Sequence, residues 1–119
     1  MDKINIKDKF QKVSEYWSPK IIAELNGQHV KLAKIKGEFD WHKHDEEDEM
    51  FIVVEGSFIM EFEDKKVVLK EGECIVVPKG VLHRPVAENE AKIMLFEPKG
   101  TLNTGDIVSE KTRLEIPKI

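Results

Sequence analysis

Turn-forming residues divide the chain after residue 20 into short apolar stretches, and this rhythm constrains the fold more than any other feature. Asn26-Gly27 is the strongest hairpin signal, and Gly37, Gly56 and Gly72 interrupt the apolar runs that follow. The stretches predict roughly nine short strands at spacings of about 8–12 residues, which is typical of an antiparallel sandwich or barrel. No strand–helix alternation follows, so a parallel α/β sheet is not expected.

The N-terminal segment carries a different pattern. Ile6, Phe10 and Val13 recur at intervals of three and four residues, which predicts a short amphipathic helix between Asn5 and Tyr16. The predicted strands are Lys20–Leu25, Gln28–Lys36, Trp41–His44, Glu49–Val54, Ser57–Glu63, Lys66–Lys70, Glu73–Val77, His83–Val86 and Ala91–Glu97, with Thr112–Ile116 as one further candidate.

These patterns predict a helix or arm over residues 1–19 and an all-β domain over residues 20–119. The domain would end in a turn-rich tail, Gly100–Asp106, whose hydroxyls and amides could cap the barrel mouth or simply form turns.

Composition excludes several classes of protein. The single cysteine, Cys74, rules out an internal disulfide and a Cys-rich zinc module, and we expect it to be a small buried side chain. The net charge is −4 and the lysines are scattered among acids, which argues against a nucleic-acid partner. No apolar run approaches the ~20 residues that span a membrane, and no signal peptide is visible. We therefore expect a cytoplasmic protein that binds neither nucleic acid nor membrane.

Candidate metal ligands lie in the middle of the chain. His42 and His44 are two residues apart, so on a strand both imidazoles lie on the same face. Glu49 begins the next apolar strand, and antiparallel pairing would return its carboxylate to the same end of the sheet. Two imidazoles and a carboxylate form a facial ligand set for a borderline divalent metal.

A second stretch supplies a fourth candidate. Pro78 and Gly80 turn the chain sharply between two strands, and this turn can direct His83 inward. Three imidazoles and one carboxylate suit Zn²⁺, Fe²⁺, Mn²⁺ or Ni²⁺, and the type of ion stays open. The low charge of this set leaves the ion a Lewis acid that can polarise a carbonyl or acidify a bound water.

The two stretches together resemble the two motifs of the cupin superfamily. The matching positions keep the family's spacing and are His42-x-His44, then Glu49 and Gly56 in the first motif, and Gly72, Pro78-x-Gly80 and His83 in the second. Two positions depart from the pattern: four residues rather than five separate Gly37 from His42, and Ala87 replaces an Asn. The four candidate ligands are unaffected by both departures.

The resemblance implies a double-stranded β-helix, the jelly-roll barrel, with a six-stranded core and one metal ion inside. It also implies a homodimer that pairs through N-terminal strands. The chain is similar to short single-domain cupins labelled mannose-6-phosphate-isomerase-like, a label that reflects barrel similarity.

Several other side chains have more than one possible role. Phe51 and Val53 share the parity of Glu49, and Met60 follows in the next hairpin; these three line a pocket or belong to the core. No second carboxylate, tyrosine or lysine is expected beside the site, which favours redox over proton-transfer chemistry. The remaining expectations are a surface ion pair for Arg84, packing for Trp41, interface contacts for Tyr16 and Trp17, an exposed His29 and a solvated Asp45–Asp48 turn.

The expected function is that of a metal-binding single-domain cupin. It would be a metal-dependent enzyme of the isomerase, epimerase or dioxygenase type, acting on a small oxygenated metabolite. The alternative is a non-catalytic cupin that binds a metal and a small ligand as a sensor or carrier.

Overall fold

The computed structural model describes residues 1–119 and is built almost entirely of antiparallel strands. Its elements are helix α1 (Ile6–Phe10) and strands β1 (Lys20–Leu25), β2 (Gln28–Glu38), β3 (Glu49–Glu55), β4 (Ser57–Phe62), β5 (Lys66–Lys70), β6 (Cys74–Val77) and β7 (His83–Pro98). The five-residue helix is too short to cross a membrane.

Strand β7 joins the two halves of the barrel. Its C-terminal part pairs with β3, as in Met50↔Phe96, and its N-terminal part pairs with β4, as in Phe62↔His83. Strand β2 runs antiparallel to almost all of β7, while β1, β6 and β5 extend the sheet from β2, β3 and β4. This arrangement confirms the predicted all-β jelly-roll.

Several predicted element boundaries were wrong. The segments His83–Val86 and Ala91–Glu97 form one strand, because β2 pairs with both and the exposed Glu88–Glu90 are accommodated where the register shifts. Trp41–His44 contributes only a single bridge between His42 and His83, and Thr112–Ile116 is not a strand.

The N-terminal helix is shorter than predicted. Asn5 caps it by accepting a hydrogen bond from the Asp8 N–H, as its side chain favours. The helix ends at Phe10, because the next three N–H groups, those of Gln11, Lys12 and Val13, donate to carbonyls three residues back instead of four.

The barrel interior is filled by alternate residues of the strands. Inward-facing apolar side chains, among them Ile35, Phe51, Val53, Met60 and Ile93, form one buried cluster. The other face of β2 is also covered: Leu32 packs on Phe10 and Val13 of the N-terminal segment. Strand β2 is therefore buried on both faces over part of its length.

Two residues lie in environments opposite to those expected. Cys74 is exposed, because it shares the outward face of β6 with Val76 while Ile75 and Val77 face the core. His29 is buried, because it shares the inward face of β2 with Ala33 and Ile35.

The packing of the N-terminal segment on Leu32 predicts a large stability effect. Phe10→Ala removes a side chain that is 2% exposed and should lower the free energy of unfolding by about 3–5 kcal/mol in urea denaturation. Lys7→Ala, on the exposed side of the same helix, is the control and should change it by less than about 0.5 kcal/mol. Equal effects would mean that the segment does not pack on the barrel in solution.

Candidate metal centre

Backbone hydrogen bonds bring the two histidine-bearing stretches together. The His42 N–H donates to the His83 carbonyl at 3.0 Å, and the His83 N–H donates back to the His42 carbonyl at 2.9 Å. The Gly80 N–H donates to the His44 carbonyl at 2.8 Å, which ties the Pro78–Gly80 turn to the first stretch. The ends of two distant segments are thereby fixed side by side.

The four predicted residues meet at one point inside the barrel. One nitrogen or oxygen atom from each of His42, His44, Glu49 and His83 lies within 4.8 Å of the others. All four side chains are buried, and His83 is fully enclosed. Glu49 Oε1 lies 2.9 Å from His44 Nε2 and 3.5 Å from His83 Nε2.

Main-chain carbonyls orient two of the rings. Nδ1 of His42 lies 2.8 Å from the Asp40 carbonyl oxygen, and Nδ1 of His83 lies 2.8 Å from the Val81 carbonyl oxygen. Because a carbonyl oxygen only accepts, each Nδ1 carries the proton and each Nε2 keeps its lone pair. In other proteins, metal-binding imidazoles are commonly oriented by such a hydrogen bond from the ring nitrogen that does not bind the metal.

The cluster has buried polar atoms without partners. His44 Nε2, His83 Nε2 and Glu49 Oε1 are enclosed and make no hydrogen bond. Burying such atoms uncompensated is costly, and a divalent cation would satisfy all three. The donor set therefore fits a metal ion.

The protonation states also suit a cation. Burial and the neighbouring His83 lower the pKa of His42 to about 4, so its ring is neutral at physiological pH. Burial acts to raise the pKa of Glu49, but its close contacts with Glu97, His44 and His83 hold it well below its usual value. The site thus offers a neutral His42 imidazole and a Glu49 carboxylate.

A second carboxyl does stand beside the site, contrary to the sequence-based expectation. Glu97 pairs with Lys31 at 2.7 Å, both side chains being 3% exposed, and its Oε2 has no hydrogen-bond partner. Burial, followed by the charge of Glu49, raises the pKa of Glu97. The sequence held a signal: Lys31 shares its strand face with Ala33, and Glu97 shares its face with Leu95.

An apolar cavity opens onto the cluster. It contains about 450 Å³ of empty space including its mouth, and Glu49, Glu97 and His42 provide its ionisable groups. Phe51 lines it, whereas Val53 and Met60 are buried in the core and do not line it. The other apolar and aromatic walls are Trp17, Pro19, Ala33, Ile35, Phe39, Pro85, Ile93 and Leu95.

Two aromatic residues differ from their expected surroundings. Trp17, expected as an interface contact, lines the cavity, stacks on Phe39 at 4.9 Å and donates its Nε1–H to the Lys36 carbonyl. Trp41, expected to pack in the core or in a dimer interface, is not in the core of the chain: it is 38% exposed beneath the Arg84 guanidinium.

The tail packs against the histidine pair. The Lys43 N–H donates to Asp106 Oδ1, and the Asp106 N–H donates to the Lys43 carbonyl. Gly105 lies so close that an added Cβ would be 2.2 Å from the Lys43 carbonyl oxygen. Asn103 lines the cavity, so the tail does close one side of the barrel mouth.

The other residues considered in the sequence make polar contacts outside the cluster. Arg84 forms the expected surface ion pairs, with Glu61 at 2.6 Å and Glu38 at 3.3 Å. In the acidic turn, Asp48 accepts a hydrogen bond from the Lys79 N–H. Tyr16 donates its hydroxyl hydrogen to Glu90 on the surface.

Comparison with known proteins places the chain in a family. The family model described as Cupin_2, Cupin domain, matches residues 28–97. The uncharacterized protein YdbB of Bacillus subtilis is 47% identical over 64 residues, which cover 53% of this chain and 57% of YdbB. The pectin degradation protein KdgF of Dickeya dadantii is 35% identical over 60 residues, which cover 49% of this chain and 54% of KdgF. The chain thus spans little more than half the length of these curated relatives.

A solved structure agrees closely with the fold. A cupin-2 domain containing protein from Shewanella frigidimarina is 49% identical and superposes with a TM-score of 0.79, covering 81% of this chain and 94% of the other.

The close approach of Gly105 predicts a selective effect of substitution. Gly105→Ala places a Cβ against the Lys43 carbonyl at a φ of +59° and should lower the free energy of unfolding. Gly72→Ala is the matched control, because Gly72 has a φ of +83° but nothing within 4 Å of its added Cβ. Gly105→Ala should cost about 1–3 kcal/mol more than Gly72→Ala in urea denaturation. Equal losses would show that the tail does not press on the histidine pair.

Proposed function

Because the chain belongs to the cupin family, we propose that it binds one divalent metal ion and uses it to act on a small oxygenated molecule. The observation that carries the proposal is the meeting of three buried imidazoles and one carboxylate at a single point. His42, His44, Glu49 and His83 would hold the ion. Zn²⁺, Mn²⁺, Fe²⁺ and Ni²⁺ all suit this donor set.

The residues around the cluster have definable tasks in such a reaction. When bound, the ion would supply a Lewis acid that polarises an oxygen of the substrate. The carbonyls of Asp40 and Val81 keep the Nε2 lone pairs of two rings directed into the site. The aromatic and aliphatic walls exclude water, which strengthens every electrostatic interaction within the cavity.

Glu97 supports isomerase or epimerase chemistry within this proposal. Its carboxyl lines the cavity beside Glu49, and its Oε2, which has no hydrogen-bond partner, is placed to accept a proton from a bound molecule. The presence of this second carboxyl removes the reason for which the sequence favoured redox chemistry. Dioxygenase chemistry remains the other enzymatic possibility, since it needs no residue beyond the metal ligands.

A non-catalytic binding role is the second candidate function. It is favoured by the contact between Glu97 and Lys31, because an ammonium 2.7 Å away restrains the only additional carboxyl that lines the cavity. A sensor or carrier would bind the same small molecules and release them unchanged.

Other parts of the proposal follow the family resemblance. We propose that the protein is a cytoplasmic homodimer with a small-molecule ligand. We also propose that residues 1–19 form an arm on a cupin domain over residues 20–119.

Removing any one of the histidine ligands should weaken metal binding. His42→Ala, His44→Ala and His83→Ala should each lower Zn²⁺ affinity at least tenfold in titration calorimetry, because each deletes one of four donors. His29→Ala is the control and should leave the affinity unchanged, since His29 is buried outside the cluster. An equal loss in the control, or no loss in the three variants, would contradict the assigned site.

Turnover distinguishes the two candidate functions. Protein loaded with Fe²⁺, Mn²⁺, Ni²⁺ or Zn²⁺ is incubated with small hydroxy and oxo acids while oxygen uptake and products are followed. An enzyme should give metal-dependent product that Glu97→Gln reduces at least tenfold if proton transfer is involved. Metal-dependent binding of these acids with no product under any ion would favour the sensor or carrier.

A further inference from the structure

The buried Lys31–Glu97 pair lies next to the metal cluster but is not part of it. Lys31 Nζ lies 2.7 Å from Glu97 Oε1, and both side chains are excluded from solvent. Burying two charges costs more desolvation energy than an apolar pair would, so such a pair contributes little to stability by itself. Glu97 reaches the cavity, whereas Lys31 lies behind it.

The cavity offers no free cationic side chain to a ligand. None of its 13 lining residues is a lysine or an arginine. Lys31 contacts the lining residue Glu97, which already holds its ammonium. Arg84 is adjacent in sequence to His83 but pairs with Glu61 and Glu38 on the outside of the barrel.

The walls reinforce this restriction. Most of the lining residues are apolar, and the polar Asn103 has its side-chain amide engaged with the Lys111 carbonyl and the Arg113 N–H. A phosphate or second carboxylate placed among these walls would be buried without a partner, which is strongly unfavourable. A compact apolar group would instead gain from burial.

We propose that Glu97, by masking Lys31, restricts the site to ligands with one metal-chelating oxygen pair, an apolar body and no second anionic group. The expected class is a short-chain oxo or hydroxy monocarboxylate. Sugar phosphates and dicarboxylates are excluded by the same contacts. The inference rests on the proposed function, because it requires the metal to hold the chelating end.

Two acids that differ at one end test the inference. 2-Oxopentanoate and 2-oxoglutarate share a five-carbon 2-oxo acid chain, but the second ends in a carboxylate where the first ends in a methyl group. The protein loaded with Zn²⁺ should bind 2-oxopentanoate at least about tenfold more tightly in titration calorimetry, since tenfold corresponds to about 1.4 kcal/mol. Metal-free protein should bind neither acid.

Variants assign the preference to Glu97. Glu97→Gln leaves the Lys31 ammonium without its carboxylate and should reduce the preference at least threefold by strengthening 2-oxoglutarate binding. Glu61→Gln is the matched control, because Glu61 pairs with Arg84 away from the cavity, and it should keep the wild-type ratio. The double variant Lys31→Met/Glu97→Gln removes both charges and should also keep the wild-type ratio of affinities for the two acids. It provides a test if Glu97→Gln alone does not fold.

The outcomes separate this inference from the proposed function. Failure to bind Zn²⁺ would overturn both. Zn²⁺ binding with equal affinity for the two acids, or with binding of neither, would overturn the inference and leave the metal site intact. A wild-type preference that Glu97→Gln leaves unchanged, or that the double variant loses, would overturn the role of Glu97.

Discussion

Two backbone hydrogen bonds between His42 and His83 hold the candidate metal site together. They join the segment after β2 to the start of β7, so that the imidazoles of both residues reach the same point. The barrel fixes this geometry before any ligand arrives, and its packing offsets the cost of leaving buried nitrogen and oxygen atoms without partners. A preorganised set of this kind binds an ion without first having to rearrange.

The spacing of a few residues, together with its resemblance to the cupin motifs, was enough to predict the fold class and the cluster. The sequence analysis expected a strand to bring His42 and His44 to one face; the structure brings them together although this stretch forms only a single bridge, to His83 after the turn at Pro78 and Gly80. These are local consequences of backbone geometry, which a single sequence can reveal. The short apolar runs between turns indicated antiparallel strands for the same reason.

The buried Lys31–Glu97 pair was harder to predict from the sequence, because β2 is buried on both faces. Leu32 packs under the N-terminal segment whereas Lys31 faces the interior, so apolar character alone does not mark the inward face of β2. In β6 both faces carry apolar residues, so the pattern did not reveal that Cys74 faces solvent. Contacts made by the tail, such as Asp106 with Lys43, depend on tertiary packing that no local pattern encodes.

The site combines a divalent-metal donor set with a cavity that is apolar and poor in free charge. In the proposed function the donor set would supply reactivity through a bound metal, and the Lys31–Glu97 pair beside it would limit which ligands bind. A crystal grown with Zn²⁺ and measured at the zinc absorption edge tests this account most directly. The account predicts one anomalous peak about 2.0–2.2 Å from atoms of His42, His44, Glu49 and His83. A peak confined to the acidic Asp45–Asp48 turn, or no peak inside the barrel, would contradict it.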